Sequence, residues 1–198
     1  QFFTEGTELF NKSGLFYSRR IGIQAPRKVL ETQLGENEQL KDVPASSQLY
    51  NATKISGRTK KGLGIAFFNA ITASQKATAV DITTGQERAI EVSPLSNFNV
   101  IVLDQNLKNN SSVTFTNTHV FRGGSFYDAS VTGLDMKLNT KSNNYGVVGW
   151  LNVSGKYDSK KQVFGHTTGI DFRKQTGNFT FNTIYGEESN TFDPNDLG

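Results

Sequence analysis

The ionisable side chains of this 198-residue chain lack the spacing that most catalytic or metal chemistry requires. The two histidines, His119 and His166, have no Cys or Glu at ligand spacing, whereas a zinc site needs three or four converging ligands. The adjacent carboxylates Glu187 and Glu188 diverge on a strand, so they are poor acid–base partners. Neither a Gly-x-Ser-x-Gly nucleophile elbow nor a Gly-x-x-x-x-Gly-Lys-Ser/Thr phosphate loop occurs. We therefore predict no catalytic residue, no metal and no cofactor.

An acidic stretch near the C-terminus, Asp-Pro-Asn-Asp at 193–196, offers the carboxylate and carbonyl oxygens that calcium prefers. It lacks the Asp-x-Asn-x-Asn-Gly spacing of a calcium-binding loop. An acidic surface loop is therefore the favoured interpretation.

Charged residues that alternate with apolar ones on predicted strands are the remaining candidates. Arg19 and Arg20 are adjacent, so on a strand they point to opposite faces. One of them could bind an anion in a lumen or tie a plug to its wall; the favoured alternative is an interfacial salt bridge or a rim residue. The candidate lumen or rim contacts are Arg19, Arg20, Asp135, Lys137, Asp171 and Arg173.

The candidate residues are expected to lie on β-strands, and the stretch 145–157 shows the strand pattern most clearly. One parity carries apolar residues with a tyrosine at each end, and the other is mostly polar, although Val148 and Trp150 interrupt it. Because side chains alternate across a strand, one face is apolar and the other is solvated. A strand of this length with aromatic ends is typical of outer-membrane β-barrels.

Similar alternation predicts about nine strands, each near the ~9–11 residues that a tilted spanning strand needs. Residues 1–13 form an entry segment, and 24–46 and 74–95 are long loops. Both long loops fall on odd-numbered connections and short turns on even-numbered ones, as in barrels with short periplasmic turns. The predicted strands are 14–23, 48–57, 62–73, 97–107, 111–121, 127–139, 145–157, 162–174 and 178–186.

The later strands separate apolar from charged residues by parity. Leu134 and Leu138 oppose Asp135 and Lys137, and the next strands repeat this pattern. We expect the apolar set to face lipid, because a charge at mid-bilayer costs about 2–4 kcal/mol. In 111–121 a threonine row opposes Phe115, so the lipid face of that strand stays open.

Composition supports an all-β chain with one apolar face. The hydrophobic fraction is 35%, which is low for a soluble β-sandwich that buries two inner faces. The 15 Phe and six Tyr favour strands, and the absence of Cys excludes disulfides. No apolar run approaches the ~20 residues of a spanning helix. The net charge of +3 is mild and its Lys and Arg pairs form no basic stripe, so we expect no nucleic-acid partner.

Short motifs in the first half of the chain resemble a known family. They include Phe-Phe-Thr-Glu-Gly at 2–6, Leu-Phe-Tyr-Ser-Arg-Arg-Ile-Gly at 15–22, Asp-Val-Pro at 42–44, Ala-Thr-Lys-Ile-Ser-Gly-Arg-Thr at 52–59 and Gly-Ile-Ala-Phe-Phe-Asn-Ala-Ile-Thr-Ala at 64–73. They are similar to Bacteroidetes-type outer-membrane proteins of unknown function that often carry an N-terminal family-9-like carbohydrate-binding domain. The resemblance covers residues 1–105; the remainder agrees in strand pattern only.

This resemblance implies an outer-membrane barrel without known catalytic residues, and an upstream sugar-binding domain that this chain lacks. An odd strand number does not close a single-chain bacterial barrel, so we expect the N-terminal part of a larger barrel. The expected role is that of a non-catalytic structural or transport component. Such a component could be a subunit of a larger outer-membrane complex. Expected partners are the lipid bilayer, other outer-membrane proteins or surface lipoproteins, and glycan through the absent domain.

The alternative is a soluble β-sandwich that binds carbohydrate, with Tyr127, Trp150 and Tyr185 stacking on sugar rings. A hydrolase is a weaker alternative because the chain offers no residue constellation for it. In a sandwich, apolar residues such as Leu134, Leu151, Phe172 and Phe181 would pack between two stacked sheets. In a membrane barrel they would lie exposed on one face.

Overall fold

Eleven strands in two antiparallel sheets make up the described part of the chain, which in this computed structural model comprises residues 8–22, 33–159 and 161–196. Ile23, the predicted loop residues 24–32 and the first seven residues of the predicted entry segment lie outside it. Within the described ranges, no helix is long and apolar enough to cross a membrane. The strands are β1 Glu38–Lys41, β2 Leu49–Arg58, β3 Leu63–Thr72, β4 Gln75–Asp81, β5 Glu87–Ser93, β6 Ser96–Asn106, β7 Ser112–Arg122, β8 Asp128–Asn139, β9 Tyr145–Tyr157, β10 Gln162–Lys174 and β11 Phe181–Glu188.

The larger sheet has eight strands in the order β11-β10-β9-β8-β7-β6-β3-β2. Each strand of this sheet pairs with the strands of the sheet that come before and after it in the chain. β3 therefore pairs directly with β6, because β4 and β5 belong to the smaller sheet. The sheet is open: no pairing joins β2 to β11 in the part of the chain that the structure describes. The prediction of an antiparallel all-β fold is confirmed.

The connections at one end of the large sheet, which we call the turn end, are all short. They are residues 59–62, 107–111, 140–144 and 175–180. Asn109, Asn110 and Asn143 take positive φ values of 60°, 55° and 56° in two of these turns, a conformation that Asn tolerates well. The opposite end, the loop end, carries the 73–95 connection and the links 123–127 and 158–161. The predicted short turns are therefore confirmed at the turn end, whereas the loop end carries one long connection and two links of five and four residues.

Residues 14–22 form no strand, so the strand predicted at 14–23 is wrong for its described residues. They are part of an irregular inner segment, residues 8–22, with one turn of 3₁₀ helix at Ser18–Arg20. Gly14 and Gly22 have φ values of 69° and 76°, which end any extended run. Leu15 is buried, and Phe16 and Ile21 are partly buried, against the large sheet. Their apolar side chains pack against that sheet, and they do not alternate between two faces as the residues of a strand do.

The two predicted long loops contain strands, which corrects that prediction. β1 lies within 24–46, and β4 and β5 lie within 74–95; together they form a three-stranded sheet in the order β1-β4-β5. Its core is small, formed by Ala77, Ala79, Ile90 and Val92. Two of these residues are alanines, so the apolar alternation was too weak to identify the strands.

A salt bridge ties two strands of this small sheet together. Arg88 Nη2 lies 2.5 Å from Glu38 Oε2, and Arg88 Nε donates to Glu38 Oε1 at 2.6 Å. The Gly35 backbone N–H donates to the same carboxylate at 2.7 Å. The hydrogen bonds from Arg88 and then from Gly35 lower the pKa of Glu38 to about 2.

Candidate functional site

The two faces of the large sheet differ in which side chains they expose. On the face that we call the outer face, the large apolar side chains are 37% to 68% exposed, as seen at Phe115 and Tyr185. On the other, inner face, the polar side chains of Asp104, Thr116 and Asn152 are 0% to 9% exposed. Other exposed outer-face residues are Ile65, Phe67, Ile101, Leu103, Leu134, Met136, Leu138, Leu151, Val153, Phe164, Ile170, Phe172 and Phe181.

The register places these apolar residues side by side across the strands. Leu134 of β8 pairs with Leu151 of β9, and Leu103 of β6 pairs with Phe115 of β7. The predicted split by parity is confirmed for β8, β9 and β10, and the open question about 111–121 is answered. Phe115 lies on the outer face, while Thr114, Thr116 and Thr118 are buried on the inner face.

Two rows of aromatic rings lie on part of the outer face, one near each end of the strands, and they extend over β7 and β9–β11. At the turn end, the ring centroids of Tyr145 and Phe172 are 6.1 Å apart, and the row continues through Phe181 to Phe179 at 5.9 Å and 5.8 Å. At the loop end, the row runs from Phe121 through His119 and Tyr157 to Phe164, with separations of 3.9 Å, 6.3 Å and 5.7 Å.

The distance between the two rows follows from strand geometry. Tyr145 and Tyr157 are the first and last residues of β9. Twelve residue steps at ~3.3 Å each give roughly 40 Å along the strand. The two rows are therefore separated by most of the length of β9, with apolar residues such as Leu151 between them.

The inner face is covered in its centre by the inner segment 8–22. Leu9 and Phe10 are buried against Phe68 and Val100, in a cluster that extends to Val102, Val120 and Ala129. The rings of Phe10 and Phe16 lie 6.4 Å and 5.2 Å from the ring of Phe68. This cluster contains the large apolar residues that the sheet buries.

Asp104 is the centre of a buried charge cluster near the turn end. Its side chain is fully buried, and its carboxylate contacts Arg58 Nη2 at 2.6 Å and Lys12 Nζ at 3.1 Å. The Thr114 hydroxyl donates to its other oxygen at 2.8 Å. Glu8 approaches Arg58 at 3.6 Å. A carboxylate with three donors is well satisfied, so this cluster fixes the inner segment to the sheet.

The tail that follows β11 is fixed to the inner face at the loop end. Lys156 Nζ lies 2.6 Å from Asp193 Oδ2, and Arg122 Nη2 lies 2.5 Å from Asp196 Oδ1. The Tyr127 hydroxyl donates to the same Asp196 oxygen at 3.2 Å. The favoured description of this tail as an acidic surface loop is thus incomplete, since two of its carboxylates are tied to strand residues.

The predicted lumen or rim contacts are not brought together into one site. Arg20 donates to the backbone oxygen and, at 3.1 Å, to the side-chain oxygen of Asn195 in the tail. Arg19 lies over the Tyr17 ring, 5.9 Å from its centroid. On the inner face of β10, Arg173 Nη2 contacts Asp171 at 2.5 Å.

Asp135 and Lys137 lie on the inner face of β8, beside a cavity of about 550 Å³ at the turn end. Lys12 and Asn110 also contribute to its wall. One carboxylate oxygen of Asp135 is buried without a hydrogen-bond partner. Sequence reasoning missed Lys12, Arg58 and Asp104, because their pairing joins segments far apart in the chain and leaves no local pattern.

Trp150 explains the break in the parity of β9. Its indole lies on the inner face over Gly169 of β10 and Gly186 of β11; a Cβ atom at Gly169 would lie 2.1 Å from the ring. Of the other two predicted stacking residues, Tyr185 is exposed on the outer face, and Tyr127 packs with the core and the Arg122 guanidinium. The three side chains therefore share no common surface.

Within the described ranges, no group of three or more His, Cys, Asp or Glu residues could hold a metal ion. Both histidines lie on the outer face of the sheet, on β7 and β10, and His166 contacts Glu187 at 3.5 Å. The described inner surface is therefore held together by ion pairs near its two ends.

Comparisons with known proteins give a family without an activity. A search of curated proteins and a search of solved structures each returned no match. A family described as a domain of unknown function, DUF5916, matches residues 1–198. That match carries no information on bacterial group, on membrane or on an upstream carbohydrate-binding domain. The chain belongs to the DUF5916 family of unknown function.

Proposed function

We propose that this chain forms part of a transmembrane β-barrel in a bacterial outer membrane, as a non-catalytic structural or transport component. One observation carries the proposal: the outer face of the large sheet exposes large apolar side chains, while the inner face carries buried polar side chains such as Asp104, Thr116 and Asn152 beside an apolar cluster. In water this arrangement would expose a large contiguous apolar patch, which soluble monomers avoid. In a bilayer, it places hydrocarbon against lipid and polar groups in a lumen.

The aromatic rows support the same placement. Tyr and Trp rings are enriched where hydrocarbon meets headgroups, and barrels carry such girdles on both sides of an apolar band about 25 Å tall. The rows through Tyr145 and Tyr157 would mark these two interfaces. The turn end then faces the periplasm, and the loop end with the three-stranded sheet faces outward.

The open sheet favours a barrel of more than eight strands. Backbone groups at lipid-exposed edges must be paired, so β2 and β11 each need a neighbour. Closure by pairing β2 with β11 would give an eight-stranded barrel, whose interior is just wide enough for side chains. The inner segment and the tail already occupy the inner face. Further strands between β2 and β11 would provide the necessary circumference.

The motifs of residues 1–105 support a finer version of this proposal. Their resemblance to Bacteroidetes-type outer-membrane proteins suggests a barrel linked to an upstream carbohydrate-binding domain. Glycan contact would then come from that domain and not from this chain. Other outer-membrane proteins and surface lipoproteins are the proposed protein partners, in an assembly of which this barrel is one subunit.

Labelling of adjacent residues on one strand tests the proposal. The chain has no Cys, so single cysteines at Leu138 and Lys137 of β8 give two probes with opposite facing. A fluorophore on L138C in the full-length protein, reconstituted into liposomes, should be quenched by brominated lipids. The same fluorophore on K137C should be quenched by aqueous iodide and not by brominated lipids.

Comparison of the two labels distinguishes a side chain that contacts lipid from one that is merely exposed to water. Equal quenching of the two labels by brominated lipids would mean that the sheet has no lipid-facing side. The wild-type protein should also require detergent for its release from membrane fractions. A full-length protein that is monomeric and soluble without detergent would overturn the proposal.

A further inference from the structure

We infer that the inner segment, residues 8–22, is a plug that keeps the lumen of the barrel closed to ions; this inference rests on the proposed function. The segment crosses the inner face from the turn end to the loop end. It starts beside Asp104 near the end of β6 and finishes at Gly22, whose carbonyl accepts a hydrogen bond from the Ser47 N–H at 2.8 Å. A segment that runs along the full height of the wall occupies the path that a solute would follow.

Two glycines of the wall allow the segment to approach closely. A Cβ atom at Gly64 of β3 would lie 2.7 Å from Leu9 Cδ2, and one at Gly133 of β8 would lie 2.3 Å from Leu15 Cδ1. Real Cβ atoms do not make contacts this short, so each leucine sits where the wall lacks a side chain. The wall is therefore shaped to receive the segment at two separate strands.

Apolar packing holds the centre of the plug. Phe10 is 1% exposed and contacts Phe16 and Phe68, with ring centroids 5.7 Å and 6.4 Å away. The wall residues Val100 and Val102 complete this contact. An otherwise polar lumen has no need of a buried apolar cluster in its wall unless something apolar is seated on it.

Polar contacts fix the two ends of the plug in different ways. Near the turn end, Lys12 contacts Asp104, and the Ser13 hydroxyl donates to Thr116 Oγ1 at 2.9 Å. If the plug were displaced, Asp104 would keep its two wall partners, Arg58 and Thr114. Displacement therefore leaves no unpaired buried charge on the wall, which is the condition for a movable plug.

At the loop end the plug is tied to the tail. Arg20 donates to Asn195, and the tail in turn is held on the wall by Lys156 and Arg122. The tail covers the inner face at that end, since a Cβ atom at Gly165 would lie 2.2 Å from the Phe192 nitrogen. The plug and the tail therefore lie one after the other along the lumen and both close it. The tail holds the plug in place from the loop end.

Conductance of the full-length protein in planar lipid bilayers tests the inference. The wild-type protein should insert without producing conductance steps. The double substitution Lys12→Ala and Phe10→Ala removes one charged and one apolar anchor, and should produce resolvable open steps. Cysteines at Ser13 and Thr116 can lock the plug, because the two hydroxyl oxygens they replace are 2.9 Å apart and the chain has no other Cys.

In the K12A/F10A background, S13C/T116C should restore the closed state after oxidation with diamide, and dithiothreitol should reopen it. S13C alone is the matched control and should leave the conductance open under both conditions. Failure of S13C/T116C to form a disulfide in the otherwise wild-type protein would show that the segment does not lie on this wall. A barrel that inserts but conducts equally with and without the lock would overturn the plug and leave the proposed function intact. Failure of the wild-type protein to float with liposomes after reconstitution would instead refute the proposed function.

Discussion

A charge placed at the centre of the outer face provides the most direct energetic test of the membrane arrangement. Leu151 is the seventh of the thirteen residues of β9, is 46% exposed, and pairs with Leu134. It lies six residue steps from each terminal tyrosine, which corresponds to roughly 20 Å along the strand. With a tilt of ~40° this is about 15 Å in depth, or half of the ~30 Å hydrocarbon core. The proposed placement of the sheet in a bilayer therefore puts Leu151 at the midplane.

The substitution Leu151→Arg should destabilise the folded, inserted protein by about 2–4 kcal/mol, the cost of an arginine at mid-bilayer. Two control substitutions on the same sheet separate the cost of burying a charge in lipid from the other effects of an added arginine. Gln162→Arg lies on the outer face of β10 beyond the aromatic row and should cost about 0–1 kcal/mol. Val148→Arg lies on the inner face of β9, beside the 550 Å³ cavity, and should cost less than Leu151→Arg because its guanidinium remains in water.

The measurement is the free energy of unfolding from guanidinium titration in phosphatidylcholine liposomes, under conditions where folding is reversible. In a water-facing sheet, a surface substitution at an exposed leucine usually changes stability by within about 0.5 kcal/mol. A cost of Leu151→Arg equal to that of Gln162→Arg would therefore refute the bilayer placement of this face. A large cost for Val148→Arg alone would show that the faces had been assigned the wrong way round.

Two further predictions concern the inner face and the small sheet. Gly169→Val should displace the indole of Trp150, the only Trp of the chain, because a Cβ there would lie 2.1 Å from the ring. We expect a red-shifted emission maximum and a loss of about 1–3 kcal/mol from overpacking, whereas Gly57→Val, with no atom within 4 Å of its Cβ, should change neither. For Glu38 the folded pKa of about 2 lies below the ordinary value of 4.5, so its stabilising contribution is complete above pH 4.5 and is lost as the pH falls towards 2. The carboxyl carbon shift in NMR should titrate near pH 2, and at a higher pH in an Arg88→Gln variant, which still keeps the Gly35 hydrogen bond; a midpoint near 4.5 in the wild-type protein would contradict the salt bridge.

Tertiary contacts also account for the predictions that were wrong. The 14–23 strand was inferred from a short run of alternating residues, but Leu15 and Phe16 pack on the sheet from an irregular segment. The strands within the two predicted loops are short, and two of their four core residues are alanines, so their alternation is weak. In each case a distant surface, and not the local sequence, determined the conformation.

The sequence alone determined the strands of the large sheet and which of their residues share a face, because a period of two residues is a local property of an extended chain. It also determined what the chain lacks, since a missing Cys or motif needs no fold to be seen. Only the tertiary structure decided what lies on the inner face. The Ser13 and Thr116 hydroxyls are 103 residues apart in the chain, and the Lys12–Asp104 pair is similarly remote. Such pairs are set by the register of the whole sheet, for which no single segment carries the information.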